Sequence, residues 1–282
     1  MSDRIAASLV IPTYNREELL VGTLRCAFAQ DCPDLEILVI DQTKAHNPET
    51  QAFLEANQGR FTHVRPDFAS VTKARNEGLR RARGQVIVFT DDDVSFEPDF
   101  IAKHVAAHAD GTHVVQGRVT EHGSKRPAQP TWLTDSLRFK GGDNYDRDGA
   151  TNNITGCNFS IRREVVERIG YFDENFRGVS VREESDYARR AFKAGLTFKF
   201  SASAALFHHR SASGGVGTGV RNNFFEQSYY FCELMFAKKH FSAWTVFTYR
   251  LRLYLRGFKN LRKLIRAAEK EADEAVKNPK ER

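Results

Sequence analysis

Short apolar runs alternate with helix-forming segments along the first part of this 282-residue chain. Residues 6–12, 35–40 and 85–89 are almost continuously apolar, as expected of strands that are buried on both faces. After the first run, Leu20 and Leu24 recur at helical spacing. Because parallel strands are joined by helical crossovers, this alternation predicts an α/β fold with a mostly parallel sheet and helices on both faces.

The same patterns locate most of the individual elements. The first helix is predicted to begin near Asn15, which can cap its N-terminus with Glu18 three residues later. Residues 121–149 are rich in Gly, Pro, Asp and Lys and predict a long loop or an inserted flap. Further helices are predicted over 50–56, 71–83 and 98–107, and further strands near 61–64, 113–119 and 198–207.

Composition limits the class of protein. Apolar residues make up 41% of the chain, which is typical of a globular protein. No apolar run approaches the roughly 18 residues of a membrane-spanning helix, and the N-terminus lacks a basic-then-apolar signal pattern. The four cysteines form no Cys-x-x-Cys pair, so we expect them to be reduced. These features predict a cytoplasmic location.

Polar residues follow three of the predicted strands at the point where each strand ends. Pro12, Tyr14 and the residues around them follow the first, Asp41 follows the second, and the triplet 91–93 follows the third. In open α/β sheets, ligands bind in the crevice outside the carboxyl ends of the strands. The sequence therefore predicts a ligand site at this edge.

The triplet Asp91-Asp92-Asp93 concentrates negative charge at the end of a buried strand. Such a cluster is costly unless a cation or hydrogen-bond donors neutralise it. Carboxylate oxygens suit Mg²⁺ or Mn²⁺, which often share their coordination with substrate phosphates. The alternative is a solvated acidic turn before the helix that begins near Pro98.

Seven motifs occur in an order that resembles the family 2 glycosyltransferases, and the resemblance covers roughly residues 6–212. It implies a GT-A (Rossmann-like) fold. It also implies a metal-dependent, inverting glycosyltransferase that moves a sugar from a nucleotide-diphosphate sugar to a glycan or lipid-linked acceptor, in cell-surface polysaccharide or glycolipid synthesis. The motifs lie at residues 10–16, 39–41, 74–79, 91–93, 156–158, 161–173 and 182–186.

The resemblance implies a role for each matching residue on the donor side. Asp93 would be the direct ligand of Mn²⁺ or Mg²⁺, with Asp91 at the other outer position of the motif and His208 completing the site. A histidine ligand would favour Mn²⁺. Asp91 or Asp92 would reach the ribose or sugar hydroxyls. The nucleotide would be held by Pro12, Tyr14 and Arg16, with Asp41 at the base and Arg75 near the diphosphate or base.

On the acceptor side, the resemblance implies Glu184 as the general base, with Asp186 as the second candidate. Glu183 and Asn158 would lie in the acceptor or sugar pocket. The alternative for the acids is that they only stabilise the positive end of a helix dipole, and the alternative for Asn158 is a loop amide that caps the following helix. The other histidines show no metal-ligand spacing and are interpreted as surface or packing residues: His46, His63, His104, His108 and His113.

The resemblance also divides the chain. Residues 1–212 would form the GT-A domain, with a nucleotide-binding half (1–119) and an acceptor and catalytic half (120–212). Residues 213–282 would form a basic, amphipathic helical extension. From Lys238 onward the chain has 13 Lys and Arg against 5 Asp and Glu, a net charge of +8, whereas the rest has 29 against 31. The Gly-rich stretch 213–219 predicts either a lid or a linker.

From about Phe247 the tail can be drawn as a helix that presents an apolar face through Leu251, Leu255 and Ile265, beside a basic face. Gly257 weakens this interpretation, and residues 249–255 could equally alternate as a strand. The helical pattern predicts contact of residues 245–266 with the anionic inner face of a membrane. The alternative is that the apolar face packs back onto the domain. No nucleic-acid-binding motif is present, and we expect no nucleic-acid partner.

Two rival functions stay open at this level. A sugar-1-phosphate nucleotidyltransferase would carry a Gly-rich phosphate loop after the first strand, where this chain has Pro12-Thr-Tyr-Asn. A non-catalytic sugar- or lipid-binding module would have no need of two acidic clusters. Both rivals are therefore less consistent with the sequence than a transferase.

Overall fold

The computed structural model describes residues 5–178, 180–210, 215, 227–256 and 259–277. Strands and helices alternate over the first ninety residues, as predicted, and the last three of the described helices follow the sheet. The elements are β1 Ala7–Thr13, α1 Glu18–Phe28, β2 Leu35–Asp41, α2 Pro48–Ala56, β3 Thr62–Val64, α3 Val71–Arg81, β4 Val86–Thr90, β5 Val94–Phe96, α4 Phe100–Ala107, β6 Val114–Thr120, β7 Trp132–Leu133, β8 Phe139–Lys140, β9 Asn158–Arg162, α5 Arg163–Ile169, α6 Glu183–Lys193, β10 Phe198–His208, α7 Gln227–His240, α8 Ala243–Arg256 and α9 Lys259–Lys277.

Eight of the strands form one sheet in the order β3-β2-β1-β4-β9-β6-β10-β5. The pairs β2–β3, β1–β2, β1–β4 and β6–β10 are parallel. The pairs β4–β9, β6–β9 and β5–β10 are antiparallel. The predicted α/β class, with a mostly parallel sheet, is confirmed.

Helices cover both faces of the sheet because alternate strand residues point to opposite sides. On one face, Leu9 and Val39 pack with Leu24 of α1 and Ile101 of α4. On the other face, Val10, Phe89 and Ile161 pack with α3, α5 and α6 through residues such as Ala74, Val165 and Tyr187. The central strands β1, β2 and β4 therefore carry apolar residues on both faces, which explains the continuous runs in the sequence.

The first helix begins later than predicted. Asn15 has a φ of 51° and lies outside α1, which starts at Glu18 with Glu17 as its N-cap. No side chain caps this terminus. Instead the backbone N–H of Asn15 donates to Thr43 Oγ1 at 2.9 Å, so the turn is held by the neighbouring strand's loop. The predicted capping box was wrong because this tertiary contact fixes the backbone in another conformation.

Four strands escaped the sequence patterns. Residues 121–149 contain the short hairpin β7–β8, in which Trp132 pairs with Lys140. Strand β5, only three residues long, follows the acidic triplet and pairs antiparallel with β10. These three strands are too short to show a recognisable period. The fourth, β9, lies between β4 and β6 in the sheet.

The C-terminal helices pack onto the rest of the protein. Helices α7 and α9 share an apolar cluster with Leu133, Leu137 and Phe176 of the preceding chain. Ile265 is fully buried in that cluster, so at this residue the predicted apolar face packs back onto the protein, as the second alternative has it. The predicted lid or linker at 213–219 lies, apart from Gly215, outside the described residues, and the division at residue 212 stays a prediction.

Candidate active site

The carboxyl ends of β1 and β4 hold the acidic triplet in a network of donors. Thr13, the last residue of β1, donates from Oγ1 to Asp92 Oδ2 at 2.6 Å. Arg16 donates from Nη1 to Asp93 Oδ2 at 3.1 Å. Burial raises the pKa of Asp92 to about 7, against the opposing effects of the Thr13 hydrogen bond and the Arg16 charge. The ends of β1 and β4 therefore lie together, as predicted, and the contacts between them are made by Asp92 and Asp93.

Asp91, Asp93 and His208 offer three ligand atoms that all lie within 4.8 Å of one another. The pairing of β5 with β10 brings His208 to the two aspartates. Strand β10 pairs antiparallel with β5 so that His208 lies opposite Val94, directly after the triplet. The His209 N–H then donates to the Asp93 carbonyl at 2.9 Å, which fixes the end of β10 against the acidic turn.

The electrostatics of this cluster suit a cation. His208 Nε2 lies 3.1 Å from Asp93 Oδ1, and its Nδ1 lies 3.2 Å from Glu121 Oε1. Burial lowers the pKa of His208, but the hydrogen bond and charge of Asp93 and the charge of Asp91 outweigh it and raise the pKa to about 9. A proton is thus held where a divalent cation would lie. Two carboxylates and one imidazole form a donor set that fits Mn²⁺ and, less well, Mg²⁺.

A cavity of about 570 Å³ opens beside this cluster. Asp91 and His208 line one part of it, and Glu183 and Glu184 from the first turn of α6 line another. Glu184 is half-buried, whereas Glu183 is buried. The chain enters α6 through Arg182, a non-glycine residue with a φ of 73°, which turns the start of the helix. The cavity therefore brings two of the predicted metal residues, Asp91 and His208, into one space with Glu184, the first base candidate.

Arg75 connects the two acidic clusters. Its Nη1 donates to Glu183 Oε1 at 2.9 Å, and its Nη2 lies 3.8 Å from Asp91 Oδ1 and donates to the Gly156 carbonyl at 3.2 Å. A Cβ at Gly156 would lie 2.5 Å from Arg75 Nη2, so this position accepts only glycine without a shift of the arginine. Burial, followed by the charge of Glu184, raises the pKa of Glu183 well above its usual value. Glu183 therefore tends to hold a proton beside Glu184.

Asp186 lies away from this cavity, in the contact between α6 and α7. It is fully buried and accepts hydrogen bonds from His240 Nε2 at 2.7 Å and from Arg190 Nε at 3.0 Å, with Lys239 Nζ at 2.6 Å. Burial acts to raise the pKa of Asp186, but these three partners outweigh it and hold the pKa well below its usual range. The Asp186 carboxylate, which accepts from three donors, joins α6 to α7. Because it lies outside the cavity, it is poorly placed to accept a substrate proton, although the sequence made it the second candidate for the base.

We predict that Asp186→Asn destabilises the protein by about 3 kcal/mol, because it removes the buried carboxylate that Arg190 and Lys239 share and leaves Lys239, among the described residues, only Asp173 as a counter-ion. The stabilisation by Asp186 is present above its unfolded pKa of about 3.9 and is lost as the pH falls below that value. Urea unfolding at neutral pH measures the change. Asp135→Asn is the matched control: this exposed residue pairs with Arg189 of α6 at 2.8 Å and should change stability by less than about 1 kcal/mol. Equal effects of the two substitutions would contradict the interpretation.

Of the predicted nucleotide residues, Tyr14 lines a second cavity, of about 550 Å³, together with Thr43, Arg65 and Phe68. Asp41 is buried behind Thr43, whose N–H donates to Asp41 Oδ1 at 2.9 Å. The side chain of Asp41 is fully buried, so it lies behind the wall of this cavity.

Two histidines that the sequence assigned to surface or packing meet at this carboxylate. His46 Nε2 and His63 Nε2 each lie 2.8 Å from Asp41 Oδ2. Burial raises the pKa of Asp41, but the bonds from His63, His46 and Thr43 outweigh it and lower the pKa to about 2. Asp41 thus carries a negative charge that fixes both rings.

Pro12 and Asn158 have mainly structural surroundings. Pro12 is buried within β1, one residue before the end of the strand. Asn158 is fully buried, donates to the carbonyls of Arg118 and Ala204 at 2.8 and 3.0 Å, and meets His104 Nε2 at 2.9 Å through Oδ1. The structure places Asn158 beneath the cavity, where it joins β9 to β6 and β10.

Several cavity residues were not predicted from the sequence. Glu121, at the end of β6, contacts His208. Arg182, Tyr229 and Glu233 line the cavity near the first turn of α6, and Arg182 Nη2 lies 2.8 Å from Glu233 Oε1. Glu233 is the last acidic residue before a long basic segment, which is the one feature that singles it out in the sequence.

Comparison with known proteins places the chain in a family. Residues 8–170 match the family described as glycosyl transferase family 2. This chain belongs to glycosyl transferase family 2. The uncharacterized glycosyltransferase YfnE of Bacillus subtilis is 26% identical over 259 residues, and the match covers 73% of this chain and 65% of YfnE. The succinoglycan biosynthesis protein ExoM of Rhizobium meliloti is 26% identical over 205 residues, covering 68% of this chain and 63% of ExoM. The chain thus spans less than two thirds of the length of either relative.

A solved structure supports the same fold. GalNAc-T7, solved with UDP, GalNAc and Mn²⁺, superposes with a TM-score of 0.67 at 15% sequence identity, and the alignment covers 98% of this chain and 57% of GalNAc-T7. At this level of identity the likeness shows the fold alone. The family 2 chain therefore has the GT-A fold that the sequence motifs implied.

Proposed function

We propose that this protein is a metal-dependent, inverting glycosyltransferase. It moves a sugar from a nucleotide-diphosphate sugar to a glycan or lipid-linked acceptor, in the synthesis of a cell-surface polysaccharide or glycolipid. The observation that carries the proposal is the cavity that joins the Asp91, Asp93 and His208 cluster to Glu184. Family membership and the relative ExoM, a succinoglycan biosynthesis protein, support the reaction class and the kind of product.

In the proposed site, Tyr14 and Asp41 hold the base side of the donor and Arg16 supports Asp93. Asp91, Asp93 and His208 hold Mn²⁺ or Mg²⁺, and Asp92 keeps the acidic turn fixed through Thr13. When bound, the cation neutralises the charge that develops on the departing diphosphate. The GalNAc-T7 structure, which was solved with UDP and Mn²⁺, supports the use of a divalent cation with a nucleotide diphosphate on this fold.

Glu184 acts as the general base. Its carboxylate accepts the proton of the acceptor hydroxyl while that oxygen bonds to the anomeric carbon, and the bond from this carbon to the diphosphate breaks on the opposite face. Glu183 keeps its own proton and holds Arg75 between the two acidic clusters. One negative charge then lies on the base side of the cavity, which avoids repulsion between adjacent carboxylates.

A nucleotide panel tests the donor part of the proposal. UDP, GDP, dTDP and CDP, each with and without Mn²⁺, are compared by thermal unfolding, with CMP as the monophosphate control. A diphosphate present at 100 times its dissociation constant should stabilise the protein by about 2.7 kcal/mol, and only when Mn²⁺ is present. Stabilisation of equal size without the metal would contradict metal dependence. No stabilisation by any nucleotide would favour the non-catalytic sugar- or lipid-binding module.

The proposal includes a peripheral contact between residues 245–266 and the anionic inner face of the cell membrane. Among the described residues, no helix is long and apolar enough to cross a membrane. A contact of this kind would therefore lie in the interface, where apolar and basic residues act together.

A further inference from the structure

Helix α8 carries an apolar stripe that no other described part of the protein covers. Trp244, Phe247, Leu251 and Leu255 follow one another at spacings of three, four and four residues, which places them on one face of the helix. They are 72%, 53%, 48% and 73% exposed, and within the described ranges they are four of the six exposed large apolar side chains. The rings of Trp244 and Phe247 stack with their centroids 5.7 Å apart. The stripe is therefore a continuous apolar surface.

The opposite face of α8 is occupied by the protein itself. Val246, Tyr249 and Leu253 pack against the apolar cluster of α7 and α9. Arg250 Nε lies 2.8 Å from Glu269 Oε1 of α9, which fixes the C-terminal half of α8 to that helix. Because this face of α8 is packed against α7 and α9, the stripe on the opposite face must point toward solvent.

Charge around the stripe identifies what covers it. Between Glu233 and Glu269 the sequence has nine Lys and Arg residues and no Asp or Glu. Arg262, Lys263 and Arg266 are exposed in the first half of α9. A second copy of this chain would bring the same positive charge to the contact, which is unfavourable. An apolar face within a segment whose charged residues are all cationic matches the interface of a bilayer that contains anionic lipids.

We propose that the stripe, which consists of Trp244, Phe247, Leu251 and Leu255, inserts into the headgroup region of an anionic bilayer. This insertion would turn the part of the cavity that Glu233 lines, where the acceptor would enter, toward the membrane. Tyr249, on the other side of α8, donates a hydrogen bond to Glu233, which lines the cavity. One helix diameter, about 10 Å, therefore separates the cavity wall from the bilayer surface. The second part of the inference rests on the proposed transfer reaction, because it assigns a lipid-linked sugar as the acceptor class.

Vesicle flotation tests the surface. The full chain should float with phosphatidylcholine vesicles that contain phosphatidylglycerol, and binding should weaken as salt is added. The variant W244Q/F247Q/L251Q/L255Q should bind at least tenfold more weakly, while its melting temperature and its stabilisation by UDP with Mn²⁺ stay unchanged, since all four residues are exposed. Binding equal to that of the parent protein would overturn the inference. A dimer in vesicle-free solution that the four substitutions dissociate would also overturn it.

A pair of charge variants separates local charge from net charge. R262Q/K263Q/R266Q and R80Q/R81Q/R83Q each remove three exposed cations, the second set from α3 and the residues after it. Only the first variant should lose vesicle binding, by about tenfold or more, because each cation near the surface contributes separately. Equal losses would show attraction by net charge alone and would overturn the assignment to this face.

Tryptophan fluorescence locates the stripe directly. In W132F, the remaining Trp244 should be quenched by brominated phosphatidylcholine in anionic vesicles. In W244F, the remaining Trp132, which is half-buried in β7, should not be quenched. Absence of quenching in W132F would overturn the inference. Nucleotide binding is measured without vesicles, so the two tests are independent. Binding of UDP with Mn²⁺ but not of vesicles would refute this inference alone. Binding of vesicles but not of any nucleotide would refute the proposed reaction alone.

Discussion

Replacing Glu184 with glutamine is expected to reduce sugar transfer by about a thousandfold while leaving the binding of a nucleotide diphosphate unchanged. The amide is close in size to the carboxylate but cannot accept the proton of an acceptor hydroxyl, and a positioned base typically contributes about 10² to 10⁴ in rate. Initial rates with saturating donor measure the loss, and thermal stabilisation by UDP with Mn²⁺ measures binding. Because the interaction is needed only in the transition state, the change should fall on kcat.

The neighbouring residue supplies the matched control. Burial raises the pKa of Glu183 well above its usual value, so glutamine at position 183 resembles the protonated form that is already present. Glu183→Gln should therefore retain transfer to within about tenfold. If the Glu183 variant lost most of its transfer rate and the Glu184 variant retained it, Glu183 would be the base instead of Glu184. Retained transfer in both variants would show that the base lies elsewhere.

The fold was predictable because its signals are local. Strands β1, β2 and β4 are apolar in both registers, and the helices between them carry a clear period. The strand ends also locate the site, since Thr13 and the acidic triplet meet at the edge that parallel topology requires. Such features depend on short stretches of chain, and a sequence displays them directly.

The unpredicted features depend on contacts between distant segments. Asp41 meets His46 and His63 because β3 pairs with β2 and places His63 beside Val39. The turn at Asn15 is fixed by Thr43, which overrides a good capping pattern. The period of a helix or strand carries no information about such pairings.

Asp186 shows how similar residues in one helical turn diverge. Glu183, Glu184 and Asp186 all lie in the first turn of α6 and look equivalent in the sequence. The structure separates them by direction: two face the cavity, and Asp186 faces Lys239 and His240 of α7. The sequence could not distinguish them, because α7 lies some fifty residues later and its packing against α6 has no local signal.

The affinity for Mn²⁺, measured with UDP present, is expected to rise by about 100-fold between pH 6 and pH 8, because a metal must displace the proton that His208 holds up to a pKa of about 9. In the metal-free protein the sign is opposite. The His208 pKa is raised above its unfolded value of about 6.5, so its stabilisation is fully present below that pH and is lost as the pH rises through 9. Calorimetric titration at several pH values measures the slope.

His208→Asn should flatten this pH dependence and weaken metal binding at pH 8, because the competing proton and the imidazole ligand are both removed. The adjacent residue provides the control: His209 is exposed, and its Nε2 contacts only Ser95 Oγ, at 3.1 Å, among the described side chains. His209→Asn should keep the full slope. A slope that survives in the His208 variant would assign the displaced proton to Asp91 or Asp92, whose pKa values burial raises. Asp93→Asn would then test whether the cation binds at this cluster. We expect Asp93→Asn to lose metal-dependent nucleotide binding. Both carboxylate oxygens of Asp93 have cationic partners, Arg16 on one side and His208 on the other, so the carboxylate lies at the centre of the proposed site.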